Sequence, residues 1–341
     1  MLRCIELAKL GNGSVAPNPM VGAVLVYDNK IIGEGYHQQY GEAHAEVYCI
    51  NNVAIENRDK IKDATLYISL EPCNHFGKTP PCTHLITEKK IKKVVIGCRD
   101  SFALVNGTGI EFLQQNGTHV ITNVLQQECA NLNKRFFTFH QKKRPYLILK
   151  FAQTADEKIA GMSDERLFIS NAYTNKLVHK WRSEETAILI GTNTALKDNP
   201  TLTNRLYTGK NPTRLIIDKN LLLPNLFNIF NTDAPTVIFN ELKNEHHRNI
   251  TFVKIDKNTD VIHQILHYCY QNNLISIIVE GGAKMLNSFI EKKLWDEMRV
   301  ITNTSLILGK GIKVPKFSGL KFKIENILTD TITHYLPNTD E

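Results

Sequence analysis

No apolar run in the sequence approaches the ~18–20 residues that a membrane-spanning helix needs, which excludes a chain that crosses a bilayer. The first residues, Met1-Leu2-Arg3-Cys4-Ile5-Glu6-Leu7, are amphipathic and carry an acid where a signal peptide would have its apolar core. A soluble, cytoplasmic protein is therefore expected. Seven cysteines, an odd number scattered along the chain, make a poor disulfide framework. In a reducing compartment such residues are more often buried, metal-bound or catalytic. There is no internal repeat, no low-complexity tract, and no Gly-x-Gly-x-x-Gly fingerprint with a downstream acid, so a Rossmann fold is not expected. Nor is charge concentrated. The net charge is +7, and basic residues outnumber acidic ones by 17 to 13 up to Arg144 and by 24 to 21 beyond it. A dedicated nucleic-acid binder usually gathers its charge on one element; this spread fits a modest attraction to phosphorylated small molecules.

What is present is a globular composition, 42% hydrophobic and 22% charged over 341 residues, which suggests two domains of ~150 residues each. The basic run His140-Gln141-Lys142-Lys143-Arg144-Pro145 reads either as a solvated loop or as a linker. The apolar strand Tyr146–Lys150 that starts directly after it favours a linker, and with it domains 1–143 and 144–341. In the first half, Leu2, Cys4, Ile5 and Ala8 share a helical face. Val21–Tyr27 reads as a strand, Asp28-Asn29 as a turn into a second strand around Ile31–Gly35, and Glu42–Asn51 as a helix. Thr65–Leu70 and Val94–Ile96 read as further strands. In the second half Ala187–Gly191, Arg214–Asp218, Thr236–Phe239 and Ser276–Glu280 are β-branched apolar runs of the kind found in strands covered on both faces. Helical stretches such as Asn175–Arg182 lie between several of them. Both halves are α/β.

The first half carries His44-Ala45-Glu46, then Glu71-Pro72-Cys73, then Thr79-Pro80-Pro81-Cys82. Zinc accepts imidazole nitrogen and thiolate sulfur, and a catalytic site uses three protein ligands, leaving one position open. His44, Cys73 and Cys82 make that set. Glu46, two residues from His44 near a helix start, points away from the ligand direction at ~100° per residue. It is placed to move protons between a water activated by the metal and a leaving amine. This division of labour is that of hydrolytic nucleobase deamination. Eight residues separate the two cysteines, where a shorter variant of the pattern has two. The remaining cysteines, Cys4, Cys49, Cys98, Cys129 and Cys269, lack a metal pattern and are read as structural.

The run Glu71–Cys82, with Pro17-Asn18-Pro19-Met20-Val21-Gly22 and Gly41-Glu42-Ala43-His44-Ala45-Glu46, resembles the bifunctional deaminase–reductases of riboflavin biosynthesis. The resemblance covers essentially the whole chain. It implies an N-terminal cytidine-deaminase-like three-layer domain followed by a dihydrofolate-reductase-like domain. It also implies hydrolytic deamination of 2,5-diamino-6-(5-phosphoribosylamino)pyrimidin-4-one, then NADPH-dependent reduction of the ribosyl to a ribityl group. Zn2+ and NADPH are the implied cofactors, a phosphorylated pyrimidine the implied partner, and a homodimer the state common in the family; neither nucleic acid nor a membrane is implied. By the resemblance Glu46 is the proton shuttle and His44, Cys73 and Cys82 hold zinc. Asn18 lies in the pocket loop, where its amide can pair with a pyrimidine edge; locally, a plain Asn-Pro turn is the alternative. His75 and Lys78 contact substrate or lie in a solvated loop. After Asp100 the family's proline-rich stretch is replaced by Ser101–Gly109.

The second half matches the family more loosely. Lys150, Ala152, Thr154 and Asp156 fit its Lys-x-Ala-x-Ser/Thr-x-Asp opening, but the glycine that commonly follows is Glu157. Arg166 and Phe168 replace a small hydroxyl residue and tryptophan. The resemblance puts Ala152, Thr194, Asp198, Gly282, Ala283 and Lys284 at NADPH, and Arg182, Leu202, Arg205 and Glu280 at substrate. Arginines suit a ribosyl phosphate dianion, a strand's carboxyl end suits ligands, and glycines opening a helix suit phosphate. Two rivals remain: a deaminase of a base in RNA with a C-terminal binding module, and a non-catalytic zinc-stabilised binding protein.

Overall fold

A computed structural model describes residues 1–77, 80–100, 106–162 and 167–338. Lys78, Ser101–Val105 and Arg166, which the sequence singled out, lie outside the described residues. Contacts divide the chain into two compact units, Met1–Lys143 and Arg144–Glu341.

The first unit opens with α1 (Leu2–Lys9), which buries Cys4, Ile5, Leu7 and Ala8 on one face. The hairpin β1 (Gly22–Tyr27) and β2 (Lys30–Tyr36) follows. Asp28 and Asn29 between them both have positive φ, the backbone that a two-residue hairpin turn requires. Next come α2 (Ala45–Asn51), β3 (Thr65–Leu70), α3 (Cys82–Glu88) and β4 (Lys93–Cys98). The unit ends with α4 (Thr108–Gln115), β5 (His119–Ile121), α5 (Gln126–Leu132) and α6 (Lys134–Lys142). The sheet order is β2-β1-β3-β4-β5, with β1 antiparallel to both neighbours and β3, β4 and β5 parallel.

Strand alternation sends the sheet's side chains into two cores. Ala23, Leu25, Leu66, Ile68, Val94 and Ile96 pack with Ala45, Cys49 and Ile86. On the other face Val24 meets Cys4 and Leu7, and Leu70 and Cys98 meet Ile5 and Cys129. The result is three layers, helices on both faces of one sheet. Gly22 is where α1 comes closest: a β-carbon there would lie 2.0 Å from the Cys4 carbonyl oxygen.

Two sequence expectations are corrected. The basic run at 140–145 is not a linker throughout, because α6 continues to Lys142. Phe136 and Phe139 are buried there, and the His140 ring packs against Phe136 at 4.4 Å, so an apolar face outweighs the local charge. The helix expected from Glu42 begins at Ala45, with His44 as an extended N-cap.

The second unit contains β6 (Tyr146–Gln153), β7 (Lys158–Ala160), α7 (Ala172–Glu184), β8 (Ala187–Gly191) and α8 (Thr192–Asp198). It continues through β9 (Thr213–Ile217), β10 (Thr236–Asn240), β11 (Glu245–His247), β12 (Ile250–Lys254) and α9 (Val261–Gln271). Then come β13 (Ser276–Gly281), α10 (Ala283–Glu291), β14 (Glu297–Asn303), β15 (Ile312–Lys313), β16 (Leu320–Ile327) and β17 (Asp330–Leu336). The main sheet runs β11-β12-β10-β9-β8-β13-β6-β14-β17-β16. From β12 to β14 every neighbour is parallel, and antiparallel strands close both edges.

Leu147, Leu149, Ile277 and Val279 face a core with Ile265 and Phe289. Ile148, Ile278, Ile188 and Ile190 face a second core with Val178 and Trp181. Burial on both sides is why these strands read as unbroken apolar runs. Helix α7 starts earlier than its apolar pattern: Asn171 Oδ1 accepts the N–H groups of Tyr173 and Thr174, both at 3.0 Å, and fixes the first turn. Among the described residues no helix is long and apolar enough to cross a membrane.

Two candidate active sites

In the first unit the carboxyl end of β3, the start of α2 and the start of α3 meet. Cys73 follows β3, His44 caps α2, and Cys82 is the first residue of α3. The His44 Nδ1 lies 3.3 Å from Cys82 Sγ and 3.5 Å from Cys73 Sγ. One ligand atom from each of the three residues lies within 4.8 Å of the others. Two sulfurs and an imidazole so gathered fit zinc, which takes that donor set. Cys82 N–H donates to Cys73 Sγ at 3.4 Å. The Cys82 thiol, hydrogen-bonded to Cys73, holds the Cys73 thiol well below its usual range, so the pair is already disposed to shed a proton.

Glu46 is 3% exposed, and its carboxyl faces the Cys82 sulfur. Burial pushes that carboxyl above its ordinary value, against the nearby His44. His44 is extended at the N-cap of α2, its ring meets the same sulfur, and Glu46 stands beside the ligand cluster.

Two residues organise this site: His37, which the sequence did not mark, and Glu71, which stood in a motif without a role. His37 is buried; its Nδ1–H donates to the Ala43 carbonyl at 2.9 Å, and its Nε2 accepts from Asn18 Nδ2 at 3.2 Å. Burial lowers its pKa, which keeps the ring neutral and able to play both parts. The Asn18 amide is thereby oriented, with Oδ1 turned from His37. A lone histidine offered no sequence signal, since its partners lie 6 and 19 residues away. Glu71 is the second. Its buried carboxylate accepts backbone N–H groups from Asp100, Gly107, Gly109 and Ile110 at 3.3, 3.0, 3.1 and 3.3 Å. Two residues before Cys73, it lashes the cysteine loop to the start of α4. A β-carbon on Gly109 would reach within 2.1 Å of the Pro72 carbonyl oxygen, so only glycine permits this approach. His75 is half-buried in the loop. The other five cysteines are buried, and burial pushes the thiols of Cys4 and Cys98 to about 12 and of Cys129 to about 11. They are packed side chains.

In the second unit the carboxyl ends of β6, β8 and β13 gather most of the remaining candidates. Glu280 at the end of β13 accepts two hydrogen bonds from Arg182 of α7, Nε to Oε1 at 3.1 Å and Nη2 to Oε2 at 2.7 Å. Lys150 Nζ of β6 lies 3.8 Å from the same carboxylate. Burial would raise the Glu280 pKa, but Arg182 and Lys150 outweigh it and hold it at about 2. Arg182 Nη1 also reaches the Thr203 carbonyl at 3.5 Å, and Arg205 Nη1 donates to Thr203 Oγ1 at 3.1 Å. The Arg205 side chain is exposed. Leu202 has a buried side chain in the core and a φ of 54°, so only its main chain is available to a ligand.

Gly282 is the N-cap of α10, with Ala283 and an exposed Lys284 in the first turn. A β-carbon on Gly282 would stand 3.2 Å from Thr194 Oγ1 of α8, so these two expected cofactor residues are neighbours across a gap a side chain would fill. That space, with the first turn of α10, fits a phosphate-bearing cofactor such as NADPH. Asp198 ends α8, and Ala152 is half-buried on β6. Phe168 is 69% exposed.

Glu157, where the family commonly has glycine, has a φ of 58°. The left-handed conformation costs an L-residue about 1–2 kcal/mol, whereas glycine loses roughly 0.5–1 kcal/mol of extra chain entropy on folding. Glu157→Gly is therefore expected to stabilise the second unit by up to about 1.5 kcal/mol. Trp181 and Trp295, the protein's two tryptophans, both lie in that unit. Their fluorescence in a urea titration reads the change directly. A midpoint that falls would mean that the Glu157 side chain more than offsets its backbone strain.

Residues 1–98 match the cytidine and deoxycytidylate deaminase zinc-binding region, and residues 145–334 match the RibD C-terminal domain. The riboflavin biosynthesis protein RibD of Aquifex aeolicus is 36% identical over 353 residues, covering 98% of this chain and 97% of the relative. The chain belongs to the RibD family. The RibD protein of Bacillus amyloliquefaciens is 38% identical over 93% of this chain and 89% of its own length. A crystal structure from Thermotoga maritima superposes with a TM-score of 0.91 at 38% identity, covering 99% of this chain and 97% of that one. That protein is a diaminohydroxyphosphoribosylaminopyrimidine deaminase/5-amino-6-(5-phosphoribosylamino)uracil reductase. Acinetobacter baumannii RibD superposes with a TM-score of 0.87 at 27% identity, over 99% of this chain and 98% of its own. Family membership makes this chain a bifunctional deaminase and reductase of riboflavin biosynthesis that uses Zn2+ and NADPH. A cytidine-deaminase-like domain precedes a reductase domain of dihydrofolate-reductase-like fold. Matches over both units do not favour the RNA-base deaminase as an alternative.

Proposed function

We propose that residues 1–143 carry the deaminase and residues 144–341 the reductase, with the roles that follow. His44, Cys73 and Cys82 hold zinc. When bound, zinc supplies a Lewis acid that makes water a usable nucleophile near neutral pH. Glu46 takes a proton from the attacking water and delivers it to the departing amino group, so the 2-amino substituent leaves as ammonia. Asn18, held by His37, turns its carbonyl oxygen to the amino edge of the pyrimidine. Glu71 keeps the cysteine loop and the start of α4 together while substrate enters.

In the reductase, Ala152, Thr194, Asp198, Gly282, Ala283 and Lys284 line the NADPH site, and NADPH when bound supplies the hydride. Arg182, the Leu202 main chain, Arg205 and Glu280 hold the phosphoribosyl pyrimidine, with the exposed Arg205 meeting the phosphate. The protein works in the cytoplasm as a homodimer. The edge strand β16, which exposes Leu320, Phe322 and Ile324, is a surface that a second copy would cover.

The observation that carries the deaminase reading is the convergence of His44, Cys73 and Cys82 beside a buried Glu46. Purified, zinc-loaded protein given the diamino phosphoribosyl pyrimidine is expected to release ammonia without NADPH, and to oxidise NADPH once it is added. Oxidation that precedes or does not need ammonia release would overturn the order. Absence of ammonia with one zinc per chain would overturn the deaminase assignment.

A further inference from the structure

Three close contacts join helix α7 to the segment that follows α8. His179 Nδ1 accepts the backbone N–H of Arg205 at 2.9 Å. Arg182 Nη1 donates to the Thr203 carbonyl at 3.5 Å. Gly209 is pressed against Ser183 so closely that a β-carbon would come within 2.7 Å of the Ser183 Cβ. His179, Arg182 and Ser183 are spaced three and four apart, which puts them on one face of the helix. Of the three contacts, only that of His179 falls on the main chain of the residue whose guanidinium meets the phosphate.

The ring is buried. Burial, then the charges of Arg182 and Arg205, push its pKa down to about 4, so the imidazole is neutral at physiological pH. A neutral ring that accepts at Nδ1 carries its proton on Nε2. Its basic nitrogen is therefore committed to the Arg205 main chain and does not serve as a proton carrier.

We infer that His179 is a positioning residue of the reductase, pinning the Arg205 backbone to α7 so that the guanidinium is presented to the substrate's phosphate. This rests on the reading of Arg205 as the phosphate contact. An unpinned arginine would have to be ordered by the substrate itself, and the loss would appear in binding. Hydride transfer takes place at the sugar carbon bonded to the pyrimidine's amino nitrogen, not at the phosphate. The effect is thus confined to KM for the phosphorylated substrate.

Two substitutions separate the hydrogen bond from the ring's bulk. Leucine approximates the bulk without an acceptor, and asparagine sets an amide oxygen near the position of Nδ1. His179→Leu is expected to raise KM for the deaminated phosphoribosyl substrate about tenfold, equivalent to ~1.4 kcal/mol. The turnover number, KM for NADPH and ammonia release should stay within twofold, which also shows that the variant is folded. His179→Asn should recover most of the lost affinity. Arg205→Met alone should raise the same KM, and adding His179→Leu to it should raise it no further. Arg205→Met with unchanged KM would overturn the phosphate reading, and this inference with it. If Arg205→Met raises KM but His179→Leu does not, the role of His179 alone is overturned. The same holds if His179→Asn is as damaging as His179→Leu, or if the two effects simply add.

Discussion

Glu46→Gln is expected to cut ammonia release by at least about a hundredfold, in keeping with the 10²–10⁴ that positioned acid–base groups contribute, while NADPH-dependent reduction of supplied deaminated product continues unchanged. The amide has the carboxyl's shape but cannot accept a proton from water and pass it to the leaving nitrogen. Glu46 is buried beside the Cys82 sulfur, so bulk buffer cannot readily replace it. A hundredfold loss is ~2.7 kcal/mol of transition-state stabilisation, large against the loss of a neutral hydrogen bond, about 1 kcal/mol. Zinc content separates this role from that of the ligands. The Glu46→Gln protein should keep one zinc per chain, whereas His44→Ala should lose metal and ammonia release together. A Glu46→Gln enzyme that retains more than a tenth of wild-type turnover would remove Glu46 from proton transfer. Loss of both activities in a folded variant would show that the two sites are not separable.

The sequence showed these groups unevenly, for physical reasons. Strands β8, β9, β10 and β13 were legible because both faces are buried, and a run such as Ile188-Leu189-Ile190 has no polar residue to obscure it. Strand β16 was not, since Lys321, Lys323 and Glu325 break its apolar residues at an exposed edge. His44, Cys73 and Cys82 could be named because ligand chemistry restricts residue type. That His44 would sit in extended backbone ahead of α2, and that its ring and the Glu46 carboxyl would meet at one sulfur, could not be read. His37 and His179 were invisible, and Glu71 stood in a motif without a role, because each acts on main-chain or amide groups that any sequence can supply. Arg214 makes the same point away from the sites. It is wholly buried, donating to the carbonyls of Ile229 and Asn231 and to Asn231 Oδ1, a cage built from a distant loop.

Glu280→Gln is expected to weaken both the fold of the second unit and its reductase, leaving ammonia release intact. Glu280 faces two cations, Arg182 through a bidentate pair and Lys150 at 3.8 Å, and the side chains of Glu280 and Arg182 are only 9% and 13% exposed. Removing one partner of a buried pair strands the other charge and costs about 3–5 kcal/mol. The amide retains part of the hydrogen bonding, so about 2–3 kcal/mol is expected here. Reductase kcat/KM should fall about a hundredfold as Arg182, no longer clamped, leaves the geometry that Glu280 imposes. The pH dependence gives an independent reading. The Glu280 pKa in the fold is about 2, below the ~4.3 of an unfolded glutamate. Its ion pair therefore stabilises fully above pH ~4.3 and is lost as pH falls toward about 2. Tryptophan fluorescence in urea should show a gap between wild type and Glu280→Gln that is constant from pH 6 to 7 and narrows steadily below pH ~4.3. A gap that does not change with pH would mean that the carboxylate's charge contributes nothing, and that Glu280 serves the reductase only by its shape.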